Sequence, residues 1–393
     1  MDTIIFTLTN TRLLVLSQSD SSGGAARAAY RLFTGFLSTG INTTMLVAHK
    51  SSNEENILQI SKFHKLKSSV YSRLDYHICR FLLPNSKEWK TSGLFGVVSA
   101  RQLNRSDFNV INIHWIGHSL ISLKQVSKIK KKVIWTLHDE WVISGITHYQ
   151  EISDKDRRLF RNFLLKILLV YTKRKKQKIF DNLNLQLIPV SSEIKKKLLE
   201  EYPHIEARIH VIPNGLDTSI FYPTDQVEFG LPTVLFLGGV SDSRKGWDLL
   251  HESFTHTNLK YNVLLTGSNL NEKIGNVQIS GIPRITSTEL LRKALSNAST
   301  VVVPSRAEAL PQVATEAISC GTPVVAFQIG GLPDVVIENV TGILVSPFNT
   351  QELAQAIDKI LLNGKSFYKE NCRKFAIKTF SFESVCLRYQ KLF

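Results

Sequence analysis

Short apolar, β-branched runs alternate along this chain with longer stretches of helical periodicity. Leu13–Ser17 reads as a strand, followed by Ser-Asp-Ser-Ser-Gly-Gly and then by helical spacing over Ala25–Ser38. Thr43–Ala48, Val110–His114, Val133–Leu137 and Leu185–Val190 continue the series. These runs lack a clean polar alternation, which predicts strands of a parallel sheet covered by helices on both faces. The rhythm breaks at Ile212-Pro-Asn-Gly-Leu-Asp-Thr-Ser-Ile-Phe-Tyr-Pro223, a stretch rich in turn formers. It restarts with Thr233–Leu237, Val263–Thr266, Val277–Ser280, Thr300–Val303 and Pro323–Phe327. Two such runs around one joint predict an α/β protein of two doubly wound, Rossmann-like domains facing each other across a cleft. The expected spans are 1–213 and 214–376, with ligands at the carboxyl ends of the strands.

Composition narrows the class. Of 393 residues, 43% are apolar and 21% charged, enough to build sizeable cores and too apolar for a disordered chain. The net charge is +15. Residues 1–200 carry 31 basic and 15 acidic side chains, and the rest carry 17 and 18, so the whole excess lies in the first half. That asymmetry implies an anionic partner for the first domain. The four cysteines, Cys79, Cys320, Cys372 and Cys386, show no zinc-site spacing and fit a reduced, cytoplasmic setting. Met1-Asp-Thr-Ile-Ile-Phe has no basic leader region, and no uncharged run reaches membrane-spanning length.

Chemistry concentrates in the second half. A buried strand ending at Val303 leads into a loop carrying Glu308, then Pro311 at the expected first position of a helix, and Gly321 where that helix stops. Glu308 and Glu316 thereby flank a helix start whose partial positive charge suits phosphate. Glu308 is placed to hold sugar hydroxyls, and Glu316 to accept from a ribose diol. A second strand, Val234–Leu237, runs through Gly238-Gly239 to Arg244-Lys245-Gly246. Adjacent cations at a helix start are unfavourable unless an anion such as a diphosphate sits there.

Arg244-Lys245-Gly246, the Glu308/Glu316 pair, Cys320-Gly-Thr-Pro-Val-Val, Gly330-Gly-Leu-Pro-Asp334 and Thr341-Gly-Ile-Leu-Val together resemble the donor half of retaining family 4 glycosyltransferases with the GT-B fold. Ser22-Gly-Gly-Ala-Ala-Arg-Ala-Ala, Ile113-His-Trp-Ile and Trp135-Thr-Leu-His-Asp-Glu-Trp resemble enzymes that build bacterial exopolysaccharide and O-antigen repeat units. The resemblance implies transfer of a hexosyl group from a nucleoside-diphosphate sugar to a glycan or polyprenyl-diphosphate-linked acceptor, without metal or other cofactor. By it, Arg244 and Lys245 neutralise the diphosphate, Glu308 binds the donor sugar, Glu316 the ribose, and the backbone around Leu310, Pro311 and Gln312 faces phosphate or sugar. It also implies that residues 377–393 return to the first domain, that Gly23 and Gly24 lie across the cleft from the donor phosphates, and that His114 lies close to the reacting sugar. His138 and Asp139 end the next strand and are candidates to bind the acceptor or deprotonate its hydroxyl. His118 and His148 read as structural.

The resemblance has gaps: Ala309-Leu-Pro stands where family members commonly carry Gly-Phe-Gly, and the segment Trp141–His148 has no cysteine. Asp154-Lys-Asp156 is a literal D-x-D, the metal-holding motif of a metal-dependent transferase, but its neighbours Arg157 and Arg158 favour helix capping and pairing. The tract Lys155–Phe180 mixes leucines and aromatics with cations, as does a helix lying on an anionic membrane at the inner face of the plasma membrane. Nucleic acid binding competes for the charge, yet no binding module is present. An epimerase or hydrolase on the same fold, and a silent binding protein, remain open.

Overall fold

The computed structural model describes residues 11–84, 89–148, 159–224 and 230–393. Asp154-Lys-Asp156 and the start of the basic tract, up to residue 158, lie outside them. The described residues divide into two compact units: those up to Ile212 together with Cys386–Phe393, and Pro213–Val385.

The first unit carries strands β1 (Arg12–Ser19), β2 (Asn42–His49), β3 (Ile57–Gln59), β4 (Val110–Ile113), β5 (Lys132–Leu137) and β6 (Leu185–Pro189). They form one parallel sheet in the order β3-β2-β1-β4-β5-β6. Leu13, Val15, Leu16, Ile111, Ile113 and Ile134 are fully buried in it, which accounts for the unbroken apolar runs. Its helices are α1 (Gly24–Ser38), α2 (Lys62–Leu82), α3 (Ala100–Arg105), α4 (Leu123–Val126), α5 (Trp141–Ser144), α6 (Leu159–Phe180) and α7 (Ser192–Glu201). Chain order reverses direction between β1 and β4, the switch point at which such sheets leave a crevice for ligand.

The second unit carries β7 (Thr233–Phe236), β8 (Tyr261–Thr266), β9 (Asn271–Ile274), β10 (Val277–Ile282), β11 (Thr300–Val303), β12 (Val324–Phe327) and β13 (Gly342–Val345). Their order is β13-β12-β11-β7-β8-β10-β9, parallel except for the antiparallel edge strand β9. The helices are α8 (Trp247–Ser253), α9 (Thr288–Asn297), α10 (Gln312–Ser319), α11 (Thr350–Asn363) and α12 (Ser366–Phe380), while α13 (Phe382–Gln390) belongs to this unit up to Val385 and to the first from Cys386. The sequence pattern missed β3 and β9, which are too short and too polar to stand out, and took β13 for a motif only.

Cys386–Phe393 packs into the first unit. The Tyr389 ring meets Phe36 at 5.6 Å, its hydroxyl lies 2.9 Å from Thr136 Oγ1, and Arg388 donates to the Val211 carbonyl. No helix among the described residues is long and apolar enough to cross a membrane.

Candidate active site

Sheet order brings distant loops together. In the second unit β7 and β11 are hydrogen-bonded neighbours, so the loops leaving their carboxyl ends lie side by side. The β7 loop ends in a tight turn, Ser243–Lys245, and the β11 loop carries Glu308. Lys245 Nζ lies 2.5 Å from Glu308 Oε1, and Ser305 Oγ donates to the same oxygen at 3.1 Å. The pair is partly screened from water, with the side chains 33% and 11% exposed. Arg244 reaches Asp242 Oδ2 at 2.8 Å.

Two glycines let the β7 and β12 loops pack closely on the β11 loop. Gly246 has φ +70°, and a Cβ there would stand 1.9 Å from the Pro304 carbonyl oxygen. Gly330 has φ +50°, and its Cβ would stand 1.8 Å from the Glu308 carbonyl oxygen. Only glycine combines that backbone conformation with that contact. Arg306 then clamps the β7 and β11 loops. Its guanidinium takes both oxygens of Asp248, at 2.7 and 2.6 Å, and the Ser243 carbonyl at 2.8 Å, while its backbone N–H donates to the Arg244 carbonyl at 2.7 Å. The hydrogen bond from Arg306 holds the Asp248 carboxyl below its usual range.

α10 starts at Gln312, so the positive end of its dipole lies in the loop bearing Glu308. Pro311 is the residue before the helix rather than its first residue: its ψ of 115° is extended, and Ala314 N–H already bonds back to its carbonyl. Glu316 sits one turn inside α10 and is buried. Leu310 is buried as well.

In the first unit the pairing β1–β4–β5 sets three loops next to one another: Gly23-Gly24, His114 and His138-Asp139. Gly23 (φ +91°) precedes α1 and Gly24 opens it, and a Cβ on either would meet no atom within 4 Å. His114 directly follows β4 and is buried. It is 1% exposed, with Nδ1 2.8 Å from His138 Nε2 and Nε2 2.7 Å from Asn112 Oδ1. The imidazoles lie within 21° of one plane with centroids 5.1 Å apart, as an in-plane N–H···N bond requires.

One carbonyl fixes every proton in this chain. Asn112 places its amide nitrogen 3.0 Å from the Ile134 carbonyl, which only accepts, and 3.0 Å from Thr136 Oγ1. Its Oδ1 must therefore accept from His114 Nε2–H. Burial, reinforced by His138, pushes His114 well below its usual range, so the ring is neutral and Nδ1 is a bare acceptor. His138 Nε2 must then carry a proton. Burial drives His138 down to about 4, against the pull of Asp139, leaving its Nδ1 as a lone pair with no partner among the described residues.

Asp139 is fully engaged. Oδ1 accepts from the Trp141 N–H at 2.9 Å, and Oδ2 lies 2.6 Å from His148 Nδ1. Burial alone would raise its pKa, but the His148 charge, with the hydrogen bonds from His148 and Trp141, holds it below the usual carboxylate range. Lys176, counted in the sequence among the surface cations, turns inward instead. It is 1% exposed, donates to the Trp141 and Gly145 carbonyls and lies 4.3 Å from the Trp141 ring centre, with burial bringing it down to about 7.

Residues 22–220, half of the chain, match the family described as Glycosyltransferase Family 4. The chain belongs to glycosyltransferase family 4. Residues 231–363 match the family described as Glycosyl transferases group 1. An uncharacterized glycosyltransferase of Methanocaldococcus jannaschii is 26% identical over 336 residues, covering 81% of this chain and 90% of its own. Among solved structures, sucrose-phosphate synthase from Thermosynechococcus elongatus superposes with a TM-score of 0.66 at 20% identity, over 97% of this chain and 98% of that one. Anabaena HepE in complex with UDP-glucose gives 0.60 at 14% identity, over 97% and 98%. These neighbours share the two-domain GT-B fold, and so does this glycosyltransferase.

In the family 4 glycosyltransferase, the predicted residues thus fall into two clusters, one per unit. Arg244, Lys245, Glu308, Leu310, Pro311, Gln312 and Glu316 gather at the β7–β11–α10 edge. Gly23, Gly24, His114, His138 and Asp139 gather at the β1–β4–β5 edge. Asn112 and Arg306 escaped the sequence reading. A polar residue inside the apolar strand Val-Ile-Asn-Ile was the available signal for the first, and a lone surface-type arginine gave none for the second. Among the described residues no group of three His, Cys, Asp or Glu side chains is arranged to hold a metal ion.

Proposed function

We propose that this glycosyltransferase transfers a hexosyl group, with retention, from a nucleoside-diphosphate sugar to a hydroxyl of a glycan or lipid-linked glycan during cell-surface polysaccharide synthesis. The observation that carries the reading is the Lys245–Glu308 pair at the carboxyl edge of β7 and β11, beside Arg244 and the start of α10. A diphosphate entering there draws Lys245 away from Glu308. The freed carboxylate then takes sugar hydroxyls, while the ammonium meets the leaving group. As the bond from the anomeric carbon to the diphosphate oxygen breaks, charge collects on that oxygen, and Arg244, Lys245 and the helix dipole stabilise it without a metal. Glu316 holds the ribose, and the backbone at Leu310, Pro311 and Gln312 lines the phosphate and sugar. UDP-glucose bound to the structural neighbour HepE is in keeping with such a donor.

The acceptor oxygen forms the new bond on the face the diphosphate leaves, and its proton departs. His138 Nδ1, which has no hydrogen-bond partner among the described residues, accepts a hydrogen bond from the acceptor hydroxyl; His114 and Asp139 act through His138 and His148 rather than by touching substrate. Gly23 and Gly24 leave room beside them. The decisive experiment follows nucleotide release from a panel of sugar nucleotides with and without acceptor glycan. Release that depends on acceptor supports transfer, whereas release without it indicates a hydrolase. Product anomeric configuration by NMR decides retention.

Contact with an anionic membrane surface belongs to the same proposal. α2 and α6 enclose an apolar groove of about 560 Å³ lined by Ile78, Phe81, Leu82, Leu164, Ile167 and Leu168. Phe63 (71% exposed), Leu66 and Phe163 stand out from the same helices. Lys62, Lys65, Lys67, Lys173, Arg174 and Lys175 lie on them too. Apolar side chains among cations fit the headgroup boundary of an anionic bilayer.

A further inference from the structure

A second cavity, of about 380 Å³, lies in the first unit beside the histidine network, in the size range of small-ligand sites. Its wall is aromatic and cut into facets. The His118 ring stands at 72° to Trp115, with centroids 5.0 Å apart, and at 87° to Trp89, at 5.9 Å. Tyr76 and Arg80 complete the rim, with the Arg80 guanidinium donating to the Tyr76 hydroxyl at 3.0 Å. The cavity joins the candidate active site through His148, which lines it, packs against Trp115 at 5.7 Å and pairs with Asp139.

The loop that presents His118 is built against its own preference. His118 and Ser119 have φ of +52° and +63°, left-handed conformations that non-glycine residues avoid. Neighbours hold them there: Ser68 Oγ donates to the His118 carbonyl at 3.0 Å, Ser72 Oγ lies 3.0 Å from His118 Nδ1, and Val97 N–H donates to the Ser119 carbonyl at 3.2 Å. Strain sustained in this way marks a position held for a task. Packing alone does not account for the imidazole, which is exposed in the cavity. The one carboxylate in the wall, Asp75, is already spent on Thr91 Oγ1 at 2.7 Å and Ser92 N–H at 3.2 Å.

We infer that this cavity binds a pyranose unit of the acceptor, its C–H face against Trp115 or Trp89 and its hydroxyls on His118, Tyr76 and Arg80. The acceptor role rests on the transfer reaction proposed above; the pyranose chemistry rests on the cavity. Here the ring faces meet near right angles, giving facets the size of one hexose face with polar groups at each seam.

Saturation-transfer NMR with methyl α-D-glucopyranoside, methyl α-D-mannopyranoside and methyl α-D-galactopyranoside tests this on the full chain. At least one glycoside should show saturable transfer, weakened tenfold or more in Trp89→Ala and in His118→Gly. Trp89 is 65% exposed, and glycine suits the left-handed backbone at 118, so neither change threatens the fold. No transfer to any probe, transfer undiminished in both variants, or displacement of the glycoside by uridine would each overturn the assignment. Binding of nucleoside diphosphate, measured on the same samples, reports separately on the donor site: its failure removes the transfer reading and leaves the sugar cavity standing.

Discussion

Replacing Asn112 by aspartate should reverse the proton order of the histidine pair. Asn112 is fully buried, donates to the Ile134 carbonyl and Thr136 Oγ1, and accepts from His114 Nε2. In Asn112→Asp the oxygen facing His114 is kept and becomes anionic. That charge favours a second proton on His114, whose Nδ1 then donates to His138 Nε2 and forces the His138 proton onto Nδ1. The residue offered to the acceptor changes from an acceptor to a donor. The stability cost is worked from the contacts: Thr136 can rotate its hydroxyl toward the new carboxylate, whereas the Ile134 carbonyl loses its donor outright. One buried unsatisfied group costs about 1–3 kcal/mol, and desolvating the new carboxylate and the charged His114 adds to it, offset in part by their mutual attraction. Turnover should fall about 10²- to 10⁴-fold, the range of a lost general base, with KM for the nucleotide sugar little changed. Two-bond ¹H–¹⁵N spectra of histidine-labelled protein read the tautomers directly. Wild-type His114 and His138 should both be Nε2–H forms, and the variant should show His138 protonated at Nδ1. A wild-type His138 protonated at Nδ1 refutes the reasoning, as does a variant that turns over normally.

Other outcomes follow from the same geometry. Lys245→Ala and Glu316→Ala should nearly abolish transfer while circular dichroism and unfolding midpoint stay close to wild type; near-normal rates with the true donor would remove these residues from the site. Gly246→Ala puts a Cβ against the Pro304 carbonyl at a left-handed φ, so it should destabilise by roughly 1–3 kcal/mol or more in urea titration, and an unchanged midpoint would show that the turn relaxes freely. Stability should fall as pH drops from about 6.5 toward 4, because unfolded His138, with its ordinary value near 6.5, takes a proton that the folded ring, near 4, refuses. The slope is up to about 1.4 kcal/mol per pH unit for each such histidine, His114 acting in the same direction, and a flat profile would count against the buried neutral pair. Sedimentation with anionic vesicles should be strong at low salt and weaken as salt rises, while nucleotide binding changes less; absence of co-sedimentation at low salt would end the membrane reading alone.

Most of the β7–β11–α10 edge was legible because its signals are local. A strand, a small-residue loop, Arg244-Lys245-Gly246, and later Glu308 and Pro311 ahead of a helix are each written within a dozen positions. Their meeting was not legible: Lys245 and Glu308 are 63 positions apart, and only the placing of β7 beside β11 brings them to 2.5 Å. The histidine cluster was legible by position only: that Asn112 and His138 bind the two nitrogens of His114 depends on neighbouring strands, not on local sequence. His118 and His148 read as structural because nothing local distinguishes them. The wall they share is assembled from α2, the residues around Trp89–Thr91 and the β4 loop, which lie far apart in the chain. Lys176 was miscounted for the same reason: a cation in a basic run gives no hint that two carbonyls and an indole enclose it.

The closing of the first unit by Cys386–Phe393 has a consequence for synthesis. Thr136 meets the Tyr389 hydroxyl, and Phe36 the Tyr389 ring, only after the whole second unit has been made. At ribosomal speeds of about 5–20 residues per second, Tyr389 is added roughly 10–35 s after Ile212. For that interval the nascent first unit holds an unfilled apolar seat beside Phe36 and a hydroxyl at Thr136 without its later partner. The first half of the protein is thus translated early and finished last. A stalled or truncated message would leave that seat open to chaperones or to another chain.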